Sequence, residues 1–288
     1  MKRRRAYPLK VRLAFMARRA GIGVIGRVAP RATARRLLDA YMRPPRIPAP
    51  PREIEALSGV ERFTIPWRDV ELAAWSWGTG PSVLLAHGWA GRAGQMAAFG
   101  PALAAAGFRA VAIDAPAHGQ SGGRDLTIAD YAEAIGHVGA ALGGVAGVIA
   151  HSYGAPSTAV ALHLGKLSVA RLVFVGAPIT QARYVAKFER VWRLPARVTR
   201  HWRKLVEQRL GFAVEGTDLT QIAGAMTTPL LVAHCHDDDD VPLEDARRLA
   251  AAWPGARLVE TQGLGHRRIL RDLLVVEAAV RFIADRDA

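Results

Sequence analysis

The sequence predicts an α/β protein with a mostly parallel, doubly wound sheet and a helical insertion. Three observations carry this. From about residue 70 onward, short apolar runs alternate with longer helical segments, the pattern of a parallel sheet with helices on both faces. Residues 147–154, Gly-Val-Ile-Ala-His-Ser-Tyr-Gly, read as a strand that stops, turns sharply and gives way to a helix with a serine at the tip. Between Ile179 and Ala225 the alternation stops, and two helical stretches, about 181–193 and 196–211, meet at Pro195.

Taken in order, residues 8–28 read as a basic amphipathic helix. Leu9, Leu13, Met16, Ala20, Val24 and Val28 recur at steps of three and four, with Lys10, Arg12, Arg18 and Arg19 largely off that stripe. The arginines interrupt any hydrophobic region of a cleavable signal peptide. Pro44, Pro45, Pro48, Pro50 and Pro51 then predict a stiff extended linker, closing an extension of residues 1–52. The remainder, 53–288, forms one domain. It opens with a hairpin, 59–64 and 70–77, around Pro66-Trp-Arg-Asp69. Strands follow at Ser82–Ala86, Arg109–Asp114, Gly147–His151, Arg171–Gly176, Leu230–His234 and Ala256–Thr261. Helices are expected at about Gly94–Ala106, Ile128–Leu142, Tyr153–Gly165, Leu243–Trp253 and Arg268–Asp285, with the insertion at about 179–226.

The chain has 288 residues, enough for one large core or two small ones. Half the residues are hydrophobic, yet no run of eighteen apolar residues occurs. Residues 1–52 hold fifteen Lys/Arg against one acid, Asp39, which is the whole formal net charge of +14. The other 236 residues carry 24 groups of each sign. The basic character therefore belongs to the extension, and a nucleic-acid partner inferred from overall charge is misplaced. A single cysteine, Cys235, excludes an intramolecular disulfide and fits a reducing, cytoplasmic compartment. Its place at the end of a buried strand predicts a packed thiol, not a nucleophile.

The serine turn gains weight from what surrounds it. A turn of this kind needs small residues two positions either side of the serine, because backbone crosses backbone there. Gly154 meets the requirement, and Ala150 stands at the front position. After Ser152 comes an acidic loop, His234-Cys-His-Asp-Asp-Asp-Asp-Val-Pro242, and then His266 in Gly263-Leu-Gly-His-Arg. Upstream lie Val83-Leu-Leu-Ala-His-Gly-Trp89 and Val111-Ala-Ile-Asp-Ala-Pro-Ala-His-Gly-Gln-Ser-Gly122. Together these four motifs resemble the α/β-hydrolase superfamily, in the manner of its serine esterases and lipases, from about Val70 to the C-terminus. Ala117-His118 stands where that family often has Gly-His or Gly-Arg.

The resemblance implies a Ser…acid…His triad in that order. Ser152 would be the nucleophile and His266 its base. The family pattern places the acid three residues before Val-Pro, which points to Asp238; Asp237 is the runner-up, and Asp239 and Asp240 are expected to face solvent. The oxyanion hole would be the backbone N–H groups of Trp89 and Tyr153. The insertion would be a lid over the nucleophile. The reaction implied is hydrolysis of a small carboxylic ester or thioester through an acyl-enzyme, with no cofactor. An acyltransferase using the same triad, or a non-catalytic protein keeping the fold, are the alternatives.

Other motifs receive plainer readings. His151 is expected to pack beside the turn, and His87 and His118 to hold loops near the site. Gly21-Ile-Gly-Val-Ile-Gly26 matches a dinucleotide fingerprint but lacks the preceding strand it needs. His234 and His236 lack a third histidine at metal-ligand spacing, so no metal site is expected. The insertion carries nine basic residues between Arg183 and Arg209, read as a solvated helix face or as an attraction for anionic substrate or lipid. Its stripe of Phe188, Val191, Trp192, Val198, Trp202 and Leu205 predicts packing of a lid onto the core. For the extension two readings stand: a structural cap, or peripheral contact of residues 1–36 with an anionic membrane, which would be the inner face. Oligomeric state is left open.

Overall fold

The structure, a computed structural model, describes residues 9–215 and 218–284. It divides into two compact units, one drawn from Met1–Met42 and Gln181–Thr217, the other from Arg43–Thr180 and Asp218–Ala288. The part of the extension up to Met42 and most of the insertion thus share a unit, although some 140 residues of sequence separate them, and residues 43–52 fall in the other unit.

The smaller unit contains α1 (Leu9–Val28), α2 (Pro30–Met42), α7 (Ala182–Trp192) and α8 (Ala196–Leu210). Helix α2 was not anticipated. Its signals are Pro30 at the first helical position and Ala34, Leu37, Leu38 and Tyr41 at helical spacing. Ala34, Leu37 and Met42 are buried with Val198, Trp202 and Val206 of α8. Tyr41 meets Phe188 and Trp202 edge-on at 5.1 and 5.2 Å, and those two rings stack at 4.9 Å. The aromatic stripe of the insertion therefore packs on the extension's second helix within this unit, and Val191 is exposed. Arg203 forks onto Glu189 and also reaches Glu215. Helix α1 buries only its Gly26; the apolar stripe read from its sequence faces solvent.

The larger unit is one eight-stranded sheet: β1 (Glu61–Trp67), β2 (Val70–Trp77), β3 (Ser82–Ala86), β4 (Arg109–Ile113), β5 (Gly147–His151), β6 (Arg171–Val175), β7 (Leu230–Cys235) and β8 (Arg257–Thr261). Its order is β1-β2-β4-β3-β5-β6-β7-β8; β2 runs antiparallel to both neighbours and the other pairings are parallel. Residues of β3, β5 and β7 are buried throughout, as a sheet covered on both faces requires. Alternation sorts the side chains. Leu84, Ala86, Val148, Ala150, Leu172 and Phe174 enter one core with α5 (Ile128–Ala141), α6 (Gly154–His163) and α10 (Leu243–Ala252). Val83, Leu85, Ile149, Val173 and Val175 enter the other, with α4 (Phe99–Ala105) and α12 (Leu273–Ile283).

Several expected boundaries move for local reasons. The linker ends early, because Pro51 opens the short helix α3 (Pro51–Glu55), whose Glu53 pairs with Arg92 at 2.7 Å. The helix expected at 94–106 splits into a 3-10 turn, Ala93–Gln95, and α4, which starts at Phe99 so that Pro101 lies in the first turn. The helix expected at Arg268–Asp285 is broken by Asp272, whose carboxylate caps α12 by accepting from Leu274 and Val275 N–H; before it come α11 (Gly265–Arg268) and a 3-10 turn. Asp285 lies outside the described residues. The insertion is narrower than 179–226: Thr180 and Asp218 pair as an isolated bridge, and α9 (Thr220–Ala223) belongs with the sheet.

Candidate active site

Strand β5 ends at His151, and Ser152 takes φ 49°, a left-handed conformation unfavourable for any side chain. The turn survives because the surroundings over-determine it. Ser152 N–H donates to Val175 at 2.9 Å, and Ala155 N–H closes back on the Ser152 carbonyl at 3.0 Å. Gly154 is mandatory: a Cβ there would lie 2.7 Å from the Ala86 carbonyl oxygen and 2.8 Å from that of His87. At the front position the fully buried Ala150 is accommodated within the sheet.

His266 stands opposite the serine. Its Nε2 lies 3.0 Å from Ser152 Oγ and its Nδ1 lies 2.7 Å from Asp238 Oδ2. A carboxylate only accepts, so Nδ1 carries the proton and Nε2 is left to accept from the serine hydroxyl. The Asp238 side chain is almost wholly buried. Its other oxygen accepts from Asp240 and Val241 N–H at 2.8 and 2.9 Å. Burial pushes this carboxyl up, but the hydrogen bond and charge of His266 and those backbone donors outweigh it and hold the group below its ordinary value. Asp237 turns elsewhere, accepting from Gly263 N–H at 2.6 Å and from the Cys235 thiol at 3.0 Å. Cys235 is buried and in turn accepts from Leu264 and Gly265 N–H, so it anchors the loop that presents His266. Asp239 and Asp240 are exposed.

Two contributors were not legible as such. Gly176, read only as a strand end, takes φ 58°, and a Cβ there would come within 3.2 Å of His266 Nδ1 and 3.5 Å of Asp238 Oδ2. It leaves the room that the His–Asp pair occupies. His151, expected merely to pack, donates from Nε2 to the His266 carbonyl at 2.9 Å and lies with its ring 4.6 Å from that imidazole. Complete burial, and then the neighbouring His266, push its pKa well below 6.5, so it is a neutral donor.

Trp89 and Tyr153 lie in the two loops that meet at the serine. A Cβ on Gly88 would sit 2.7 Å from Ser152 Cβ, and the two aromatic rings face each other edge-on at 5.4 Å. The Trp89 loop is held from behind. His118 Nε2 accepts from Ala90 N–H at 3.0 Å, and His87 Nε2 accepts from Ala115 N–H at 2.9 Å. Asp114 accepts from Ala93 and Gln120 N–H, both at 2.7 Å. Ala117 takes φ 65°, which costs about 1 kcal/mol relative to the glycine common at this place.

Because both loop histidines accept through Nε2, each must be neutral. Burial, above all, lowers their pKa values from 6.5 to about 4 for His87 and about 3 for His118. Between pH about 6.5 and about 4 these two imidazoles bind protons in the unfolded chain that they do not bind in the folded one. Their contribution to stability is therefore complete above pH about 6.5 and falls on acidification, by about 3 kcal/mol per pH unit near pH 5, and the neutral, buried His151 adds to the fall in the same direction. Denaturant unfolding at neutral pH and at successively lower pH measures this slope. A flat profile would show that these imidazoles are not held neutral.

Among the described residues no cluster of His, Cys, Asp and Glu could hold a metal ion, and no helix is long and apolar enough to cross a membrane. The model of the alpha/beta hydrolase family matches residues 83–282. The chain belongs to that family. Membership supports a hydrolase. Three solved α/β-fold structures illustrate the likeness. A putative lipase from Acinetobacter baumannii AYE superposes with TM-score 0.64 at 15% identity, covering 85% of this chain and 99% of that one. An esterase from Exiguobacterium antarcticum gives 0.60 at 18% identity, covering 74% and 96%. An esterase from Thermogutta terrifontis gives 0.59 at 20% identity, covering 77% and 97%. At such identities the likeness is one of fold. Among curated protein sequences no match was found.

Proposed function

We propose that this hydrolase cleaves carboxylic esters or thioesters through an acyl-enzyme on Ser152. The observation that carries the reading is the continuous hydrogen-bonded chain from Ser152 Oγ through His266 to Asp238, with its 3.0 and 2.7 Å links, mounted on a strained strand–helix turn. As Oγ attacks the carbonyl carbon, its proton passes to His266 Nε2, which already accepts from it. Asp238 holds Nδ1 protonated and stabilises the imidazolium. The N–H groups of Trp89 and Tyr153 take the developing oxyanion; each such donor contributes about 100- to 1000-fold. Collapse of the tetrahedral adduct expels the alcohol or thiol with the proton from Nε2. Water then adds to the acyl group by the same route in reverse, releasing the acid and restoring Ser152.

A fluorophosphonate probe on the purified protein, wild type beside Ser152→Ala, tests the reading. Labelling of the wild type alone is expected, and a p-nitrophenyl ester series run in parallel would size the acyl pocket. Absence of labelling on folded wild type would overturn it.

His151 enters as a positioning residue, acting through the carbonyl of His266. His151→Phe keeps the ring and removes the donor. The expected result is a fall in kcat of about tenfold with KM unchanged, the worth of one hydrogen bond. A change confined to melting temperature would reduce His151 to packing.

A further inference from the structure

Helix α1 touches its own unit along one narrow side. Phe15 meets Trp192 at 5.1 Å, Ile22 packs on the helical core, and Gly26 is so close to Val198 that a Cβ would lie 2.7 Å from it. The other side carries Leu9, Leu13, Met16, Val24 and Val28, which are 54–85% exposed. With Ala17 and Ala20 between them these residues line one side of the helix, an apolar face unbroken from Leu9 to Val24. A helix in water turns such a face inward, and this one turns it out. Lys10, Arg12 and Arg18 flank it, Arg27 projects from it near its C-terminal end, and the helix contains no acidic residue.

We propose that α1 lies flat on an anionic lipid bilayer, with the Leu-Met-Val face among the acyl chains and the Lys/Arg side chains at the headgroups. The chemistry selects this occupant. A nucleic acid would satisfy the cations but leave the apolar face in water. A second copy would bring the same charge, and residues 1–52 carry the chain's entire +14 excess. A bilayer rich in acidic lipids meets both features at once. The helix rests on the surface and does not span it, since no described helix is long and apolar enough to cross. The proposal stands apart from the chemistry at Ser152.

Co-sedimentation of the full-length protein with vesicles tests it. Phosphatidylcholine vesicles are compared with a mixture rich in phosphatidylglycerol. Wild type is expected to partition at least about tenfold more strongly to the acidic vesicles. Leu13→Gln, Met16→Gln and Val24→Gln together leave the charge untouched and should weaken that binding about tenfold or more. Replacing Lys10, Arg12 and Arg18 by Gln should weaken it on the order of a hundredfold. Both variants act on exposed side chains, so melting temperature and hydrolysis of a soluble ester serve as controls for folding. Undiminished binding of the apolar-face variant would overturn the proposal, as would equal binding to neutral vesicles. So would a wild-type dimer that the apolar-face variant converts to monomer, which would make a second copy the occupant.

Discussion

Ser152→Ala lowers turnover of a p-nitrophenyl ester by about a millionfold and leaves a folded protein. Under the proposed mechanism the three side chains act as one unit, so that removing the nucleophile forfeits most of what they contribute together. The N–H groups of Trp89 and Tyr153, proposed as oxyanion donors, are main-chain groups and remain, which leaves about a thousandfold over water. Folding should survive because the backbone, not the hydroxyl, makes the turn: the Ser152 N–H bond to Val175 and the close crossing at Gly154 are untouched. Alanine inherits the same φ of 49° and needs no more space than serine. Steady-state kinetics with a melting curve decide the matter. Turnover retained at more than about a tenth of wild type would remove Ser152 from the chemistry.

Asp238→Asn costs about ten thousandfold in kcat, while Asp237→Asn stays within about threefold. The neighbours of each carboxylate explain the difference. Asp238 Oδ1 accepts from two backbone N–H groups, at Asp240 and Val241. An asparagine there would keep its oxygen on those donors and turn its amide toward His266 Nδ1. Two donors would then face each other, and relief comes only by moving the imidazole proton to Nε2, where it can no longer accept from Ser152. Asp237 keeps its acceptor for Gly263 as asparagine and has no contact with the imidazole. Comparison of kcat/KM for the two variants tests the register of the aspartate run. The reverse order would place the acid at 237.

Much of this was legible along the chain. The strands of the parallel sheet are continuous apolar runs because both faces are covered, and β3 and β5 occur at the expected residues. The Ser…Asp…His order and the spacing to Val-Pro singled out Ser152, Asp238 and His266, the three residues that meet. Four consecutive aspartates blurred the choice of acid, because a one-residue slip in a loop leaves no trace in composition. Contributions made by backbone or by absence of a side chain were harder to read. Gly176 matters for the space it leaves beside His266, and His151 for a hydrogen bond to a main-chain oxygen more than a hundred residues away. Neither follows from local pattern.

Periodicity, residue size and local count already specify the sheet, the strained serine turn, the order of the chemical groups and the concentration of charge in the first 52 residues. Tertiary structure decided which aspartate reaches the imidazole, that α2 packs with the insertion, and that the apolar face of α1 is left in solvent. The physical reason is the same in each case. A periodic stripe states that a surface is apolar, but which surface covers it depends on contacts between segments far apart in the chain.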